Sequence, residues 1–370
     1  MRDISAAGRR MSGRALLGLL AVPVLSSLSF AAVWTVRPDG TGDFPTIQAA
    51  VSGASDGDII ELADGTFSGD GNRDVEFLGK SLTVRSQSGD FEDCIIDCEG
   101  TLIEPHRAFV LEDAPASFCL IEGITFQGAE PPSDYPYGGA IYAENAPLRI
   151  LACRFRENDA RIGGGVLSLF GPIELEDCLF ERNTAEGGAA VAALADGRIE
   201  RCTFVENIGA HEGGAVAGNS GTLVVTGSTF FRNQGAGSSI YAVHPGPPGH
   251  FALIVENTLM IDGIGRPIDC IESPQIEMYC CDLYGNDGGD WVGCISENEG
   301  INGNLSADPL FCDPLNGDFR LSADSPCAPE QAPECGLIGA WPVGCGPVPT
   351  VESSWGHIKW RHSGPASGGQ

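Results

Sequence analysis

The chain has 370 residues, 50 acidic against 21 basic side chains, a formal net charge of −29 and 14 cysteines. That balance excludes a nucleic-acid partner and repels an anionic polysaccharide unless a local basic strip or bridging calcium compensates. Neutral glycans and proteins suit the surface better.

The chain opens with Arg9, Arg10 and Arg14, then an apolar run from Ala15 to Leu28 ending in Ser29-Phe30-Ala31-Ala32. This pattern predicts a signal peptide over residues 1–32, with Met11 as an alternative start. The run is shorter than the ~20 residues of a membrane span, and no second one of that length follows. The expectation is a secreted or cell-surface monomer with no membrane span after cleavage. Cleavage near Ala32 removes four arginines and one aspartate, which takes the charge from −29 to −32. What remains is long enough for one large core, and a solenoid reaches that length without splitting into domains.

The stretch Thr35 to Val51 reads as a strand, a Gly-rich turn and a short amphipathic helix that would cap an open apolar end. Irregular first coils follow at Asp58 to Leu62, Leu82 to Val84, Cys94 to Asp97 and Phe109 to Leu111, where Cys94 and Cys98 are close enough in sequence to pair. A period then emerges. Phe155-Arg-Glu-Asn158, Phe180-Glu-Arg-Asn183, Phe204-Val-Glu-Asn207 and Phe230-Phe-Arg-Asn233 share one frame, with looser copies at Phe126, Leu259 and Leu283. Between them lie Gly138-Gly-Ala-Ile141, Gly164-Gly-Val-Leu167, Gly187-Gly-Ala-Ala190 and Gly213-Gly-Ala-Val216. A third, alternating segment runs Leu148 to Cys153, Ile173 to Cys178, Arg198 to Cys202, Leu223 to Ser228 and Phe251 to Asn257. Three short strands in about 25 residues predict one coil of a single-stranded, right-handed parallel β-helix, all-β, with coils stacked ~4.8 Å apart.

Each column of the repeat then has a physical reading. The Phe positions form an inward ladder, each ring contributing roughly 1.5–3 kcal/mol. The Asn column satisfies turn backbone and bonds from coil to coil, at positions where the chain bends and left-handed backbone is tolerated. Glu157, Arg182, Glu206 and Arg232 alternate in sign as an exposed ion-pair column. Cys153, Cys178 and Cys202 share a column whose stacked geometry suits buried free thiols better than disulfides.

Two sets of motifs resemble known families. Asp-Gly-Thr-Gly-Asp-Phe-Pro-Thr-Ile-Gln-Ala-Ala at 39–50, followed by Asp56-Gly57-Asp58, resembles the start of pectin-lyase-like β-helix proteins, pectin methylesterases included. The interleaved Gly-Gly-Ala-aliphatic and Phe-x-x-Asn repeats resemble those of chlamydial polymorphic outer-membrane proteins. Together these motifs span about residues 34 to 290. The resemblance implies the fold, while lyases, hydrolases, esterases and adhesins share that scaffold. No enzyme signature carries over. Gly265-Arg266-Pro267 precedes Ile268, where the esterases have Trp, and Gly209-Ala-His211 and His357-Ile-Lys359 only echo polygalacturonase motifs.

The predicted organisation is a β-helix with its cap over 33–290, a Cys-rich C-terminal cap over 291–345 and a linker and tail over 346–370. The tail contains Ser354-Trp-Gly-His-Ile-Lys-Trp-Arg361, a candidate sorting or docking tag. Loops leaving a regular scaffold are the places for binding. Ala129 to Tyr137 enlarges one turn, and His244 to His250 enlarges another. Tyr135, Tyr137, Arg161, Glu186, His211 and Glu212 follow one edge and form the candidate binding surface for a glycan or a surface protein. Glu174, Glu176 and Glu200 are the nearest approach to a catalytic set, as outward neighbours whose repulsion would raise a pKa or bind calcium. Asp282, Asp287 and Asp290 read either as a calcium loop or as a plain acidic turn. No cofactor is expected beyond that calcium. The leading functional reading is noncatalytic binding, with a polysaccharide lyase, glycoside hydrolase or esterase as the alternative.

Overall fold

The structure, a computed structural model, describes residues 31–115, 117–243, 251–272 and 274–346, with only the backbone described at 211 and 212. Residues 1–30 of the expected signal peptide, the 244–250 loop and the 354–361 tail lie outside the described residues. Among these residues no helix is long and apolar enough to cross a membrane.

The described chain is a right-handed parallel β-helix. One coil consists of Leu148–Leu151, Arg154–Arg156 and Val166–Leu169, and each segment pairs in parallel with its counterparts in the coils before and after it. Stacking builds a first sheet of ten strands, from Val33–Val36 to Gln275–Tyr279, and a second of nine, from Gly65–Phe67 to Asp282–Tyr284. A third sheet, on the Gly-Gly segments, runs from Val75–Glu76 to Ile264–Ile271. The helix Ile47–Gly53 buries Ile47, Ala50 and Val51 beside the first coils, and its start is capped where the Thr46 side chain accepts from the Ala49 amide.

The Phe column is an internal stack. Phe126, Phe155, Phe180, Phe204 and Phe230 are fully buried, with successive ring centroids 4.5–5.0 Å apart and nearly parallel planes. Beside it, Asn183 Nδ2 donates to the Phe155 carbonyl at 3.0 Å and to Asn207 Oδ1 at 2.9 Å, and Asn207 Oδ1 also accepts from the Asn183 amide. Asn158, Asn207 and Asn233 continue the pattern, all buried. The left-handed backbone falls one residue earlier than the sequence suggests. Glu157, Arg182, Glu206 and Arg232 carry φ of 51–55°, because the bend must precede the inward amide. Of that charged column, Arg182 pairs with Glu157 at 3.0 Å, while Arg232 lies 3.9 Å from Asp262.

The glycine motif also needs correcting. Ile141, Val166, Val191 and Val216 share a column, so the true frame is Gly138, Gly163, Gly188 and Gly213, one residue off the sequence alignment in the second copy and the opposite way in the third. These four have φ of 59–68°. The next position needs a small residue for a different reason: a Cβ on Gly139 would sit 1.9 Å from the Gly164 carbonyl oxygen.

At the next corner Cys153, Cys178 and Cys202 are buried free thiols. Each donates to the carbonyl two residues back at 3.3 Å, as Ser228 and Thr258 do with hydroxyls at 3.0 and 2.8 Å. The column thus selects a small donor, and sulfur and oxygen both serve. Cys94 and Cys98 are buried and unpaired, so the expected local bridge does not form. Disulfides join Cys270 to Cys294, Cys280 to Cys335 and Cys312 to Cys345.

The C-terminal part does more than close the end. Trp291 and Ile295 seal the main core, but the segment from Ser306 folds back along the outer flank of the second sheet. There Val205, Phe231, Leu259 and Ile261 pack against Phe311, Phe319, Leu321 and Ile338. The Trp341 indole N–H donates to Thr203 Oγ1 at 2.8 Å, and the Ala340 amide to Thr229 Oγ1 at 3.0 Å.

Asn207→Ala removes donors and acceptors of four buried bonds and Phe204→Ala opens a cavity in the stack. Each should cost about 3 kcal/mol or more, read as a lower denaturation midpoint with an unchanged m-value. An exposed change such as Glu206→Gln should move the midpoint by less than about 0.5 kcal/mol.

Candidate functional site

Between the second and third sheets the chain bulges outward, and the bulges stack. Tyr137, Ile162 and Gly187 bridge in parallel from coil to coil, and Gly187 pairs with Glu212 in the strand Ile208–Glu212. Four of the candidate edge residues thus lie next to one another along the axis: Tyr137, Arg161, Glu186 and the backbone of Glu212. His211 lies on the same strand, which fixes its backbone position alone.

The tyrosine end is rigid. Buried Arg107 donates to the Tyr137 and Tyr135 carbonyls at 3.0 and 2.9 Å, with its guanidinium 5.7 Å from the ring centroids of Tyr135 and Tyr142. Burial lowers the pKa of Arg107, with nearby Asp74 working in the opposite direction. The Tyr135 hydroxyl donates to Tyr142 Oη at 2.6 Å, and Tyr142 donates to Glu144 at 2.5 Å. Burial and these bonds push the Tyr142 hydroxyl pKa up. Tyr135 nevertheless remains 41% exposed. Arg161 Nε meets Glu186 Oε2 at 3.0 Å with both side chains more than half exposed, and this partner raises the Arg161 pKa. An aromatic platform beside a solvent-facing ion pair can stack on a sugar ring and hydrogen-bond its hydroxyls. Sequence reasoning missed Arg107, because nothing local distinguishes it from a surface arginine.

On the outer face of the first sheet, Glu174, Glu176 and Glu200 do come together, but with guanidinium groups among them. Arg149 lies 3.6 Å from Glu174 and 3.0 Å from Glu176, and Arg198 lies 2.7 Å from Glu200. Arg201 contacts Glu176, Glu200 and, at 2.8 Å, Asp177. The expected repulsion is therefore reversed. Arg149 and Arg201 hold Glu176 below the usual carboxylate range, and Arg198 does the same for Glu200. The adjacent positions are legible in the sequence, whereas the triple partnership of Arg201 depends on its left-handed corner backbone, φ 51°.

The three candidate calcium ligands serve separate turns. Asp287 accepts from the Gly265 amide at 2.6 Å, and Asp290 from the Asn286 amide and side chain at 3.0 and 2.8 Å. Asp282 is fully buried beneath the C-terminal flap, accepting from the Ala307 amide at 2.9 Å and the Cys327 thiol at 3.1 Å. Burial pushes its pKa up to about 7. Among the described residues no group of three His, Cys, Asp or Glu is placed to hold a metal ion.

No family profile matches the chain, and no curated protein matches it. Solved structures do. An alginate lyase of the PL6 family, AlyGC, aligns at 14% identity and a TM-score of 0.34 over 79% of this chain and 42% of its own, so this chain spans less than half that lyase. The pectin methylesterase of Aspergillus niger aligns at 13% and 0.35 over 76% and 91%, and the pectate lyase Pel9A at 15% and 0.33 over 86% and 98%.

Two outcomes follow. Arg201→Ala should raise the carboxyl pKa values of Glu176 and Glu200, measured by NMR titration, and cost under about 1 kcal/mol because the groups are part-exposed. Their depressed values contribute stability above pH 4.5 that is lost as pH falls, and the variant should lose part of that dependence, the remainder resting on Arg149 and Arg198. Asp282 acts with the opposite sign. Its raised value contributes stability in full below pH 3.8 that is lost as pH rises to about 7. Asp282→Asn should flatten denaturation midpoints over that window.

Proposed function

We propose that this protein is an extracellular β-helix that binds a neutral glycan or a surface protein without turning it over. The observation that carries the reading is the edge formed by Tyr135, Tyr137, Arg161 and Glu186, where aromatic and paired polar side chains line up over successive coils on a rigid base. Three disulfides agree with an oxidising compartment. The acidic surface favours a neutral partner.

One observation supports a second reading, a carbohydrate-active enzyme. The outer face of the first sheet places Glu174, Glu176, Asp177 and Glu200 with Arg149, Arg198 and Arg201, a convergence of carboxylates and guanidinium groups on one strand face. Acid–base work needs a group that titrates near the working pH. Glu176 and Glu200 are held low and Arg201 is raised, so the binding reading takes precedence.

A glycan array probed with the purified mature protein, with and without calcium, should show binding. Tyr135→Ala and Arg161→Ala should each weaken it by about tenfold. Release of reducing or unsaturated sugar ends, abolished by Glu176→Gln, would replace this reading with the enzymatic one.

A further inference from the structure

Among the described residues the first sheet stops at Gln275–Tyr279, which pairs there with Phe251–Glu256 alone. The Tyr279 carbonyl accepts from the Asn257 amide at 3.0 Å, so alternation turns the backbone groups of Gln275, Glu277 and Tyr279 toward the sheet and those of Ile276 and Met278 away from it. The Met278 carbonyl accepts from the Asn304 side chain at 3.1 Å. The Ile276 amide and carbonyl and the Met278 amide have no partner among the described residues. At the same end the Leu283 amide of the second sheet donates to the Leu305 carbonyl, and the Gly265 carbonyl of the third accepts from the Gly288 amide, each at 3.2 Å.

Beside the open edge lies a groove of about 530 Å³ lined by Pro274, Ile276, Gly293, Cys294, Glu297 and Ile301. The Cys270–Cys294 disulfide fixes one wall. No lysine or arginine occurs between Arg266 and Arg320, while Glu272, Glu277, Glu297 and Glu299 surround the groove in sequence. Unpaired edge groups select an extended segment, Ile276 and Ile301 among otherwise polar walls with Ser296 and Asn298 select apolar side chains at alternate positions, and an acidic rim selects basic ones.

One segment of this chain has that pattern. His357-Ile358-Lys359-Trp360-Arg361 alternates basic and apolar residues, so as a strand it places Ile358 and Trp360 on one face and the basic groups on the other. We propose that this C-terminal segment docks on Gln275–Tyr279 as an added strand, with its apolar face toward Ile276 and Ile301 and Lys359 beside Glu277.

Hydrogen exchange of the full-length protein tests the assignment. The Ile276 and Met278 amides should exchange about tenfold more slowly than in an Ile358→Asp/Trp360→Asp variant, and a synthetic Ser354–Arg361 peptide should restore the slow exchange. Glu277→Lys, at a half-buried position, should give the fast exchange with a melting temperature no lower than that of Glu277→Gln. Equal rates in the parent and the double variant overturn the proposal. So does equal rescue by a scrambled peptide of the same composition, which would mark simple charge attraction. Protection that rises with protein concentration whether or not the segment is intact overturns it too, placing a second copy on the edge instead.

Discussion

In a parallel β-helix no strand finds its partner locally. The backbone donors and acceptors of every strand are satisfied only by the coil before and the coil after, so everything else depends on adjacent coils staying in register. The buried Asn ladder enforces that register from inside. One amide bonds the preceding coil's carbonyl and the following coil's Asn, so a slip of one residue would strand buried polar groups at once. The Phe stack alone would tolerate more play, because dispersion is not directional. Gly263 interrupts the ladder between Asn233 and Asn286, where a Cβ would fall 2.3 Å from Ser238 Oγ, and the Gly263 amide instead donates to Asn286 Oδ1 at 3.0 Å.

Inward positions of the repeat were legible because register repeats their chemistry. The columns of Phe155, Asn158 and Cys153 could be read from spacing alone, and the role of the thiols follows once Ser228 and Thr258 are recognised in the same slot. The glycine frame misled because adjacent glycines serve different ends, one needing positive φ and the other close backbone approach. Sequence cannot tell which glycine is which when three stand in a row, as at Gly163-Gly-Gly165.

Outward positions were less legible, although a signal was present. Arg154 and Arg156 flank Phe155, as a solvated face requires, but Val205, Phe231, Leu259 and Ile261 are apolar where the same alternation calls for polar groups. An outward apolar run over three coils implies a cover, and the C-terminal flap is that cover. Asp282 belongs to the same logic: outward in register, it is buried only because residues 307–327 lie over it. Reading it as a surface ligand assumed a bare sheet.

The candidate edge and the charged face differ in what positions them. Arg149, Glu174, Arg198, Glu176 and Glu200 occupy regular ladder positions, so their meeting follows from register and their charges largely cancel. Tyr135 and Tyr137 stand on an irregular bulge tied to the next coil by the isolated Tyr137–Ile162 bridge, and there a buried guanidinium adds support by bonding two carbonyls and lying against two rings. Burying a cation on neutral acceptors is costly, and exposed aromatic residues are not needed to close a coil. Tyr135 is thus held part-exposed on a constrained base, the arrangement that would lower the ordering cost of the proposed binding.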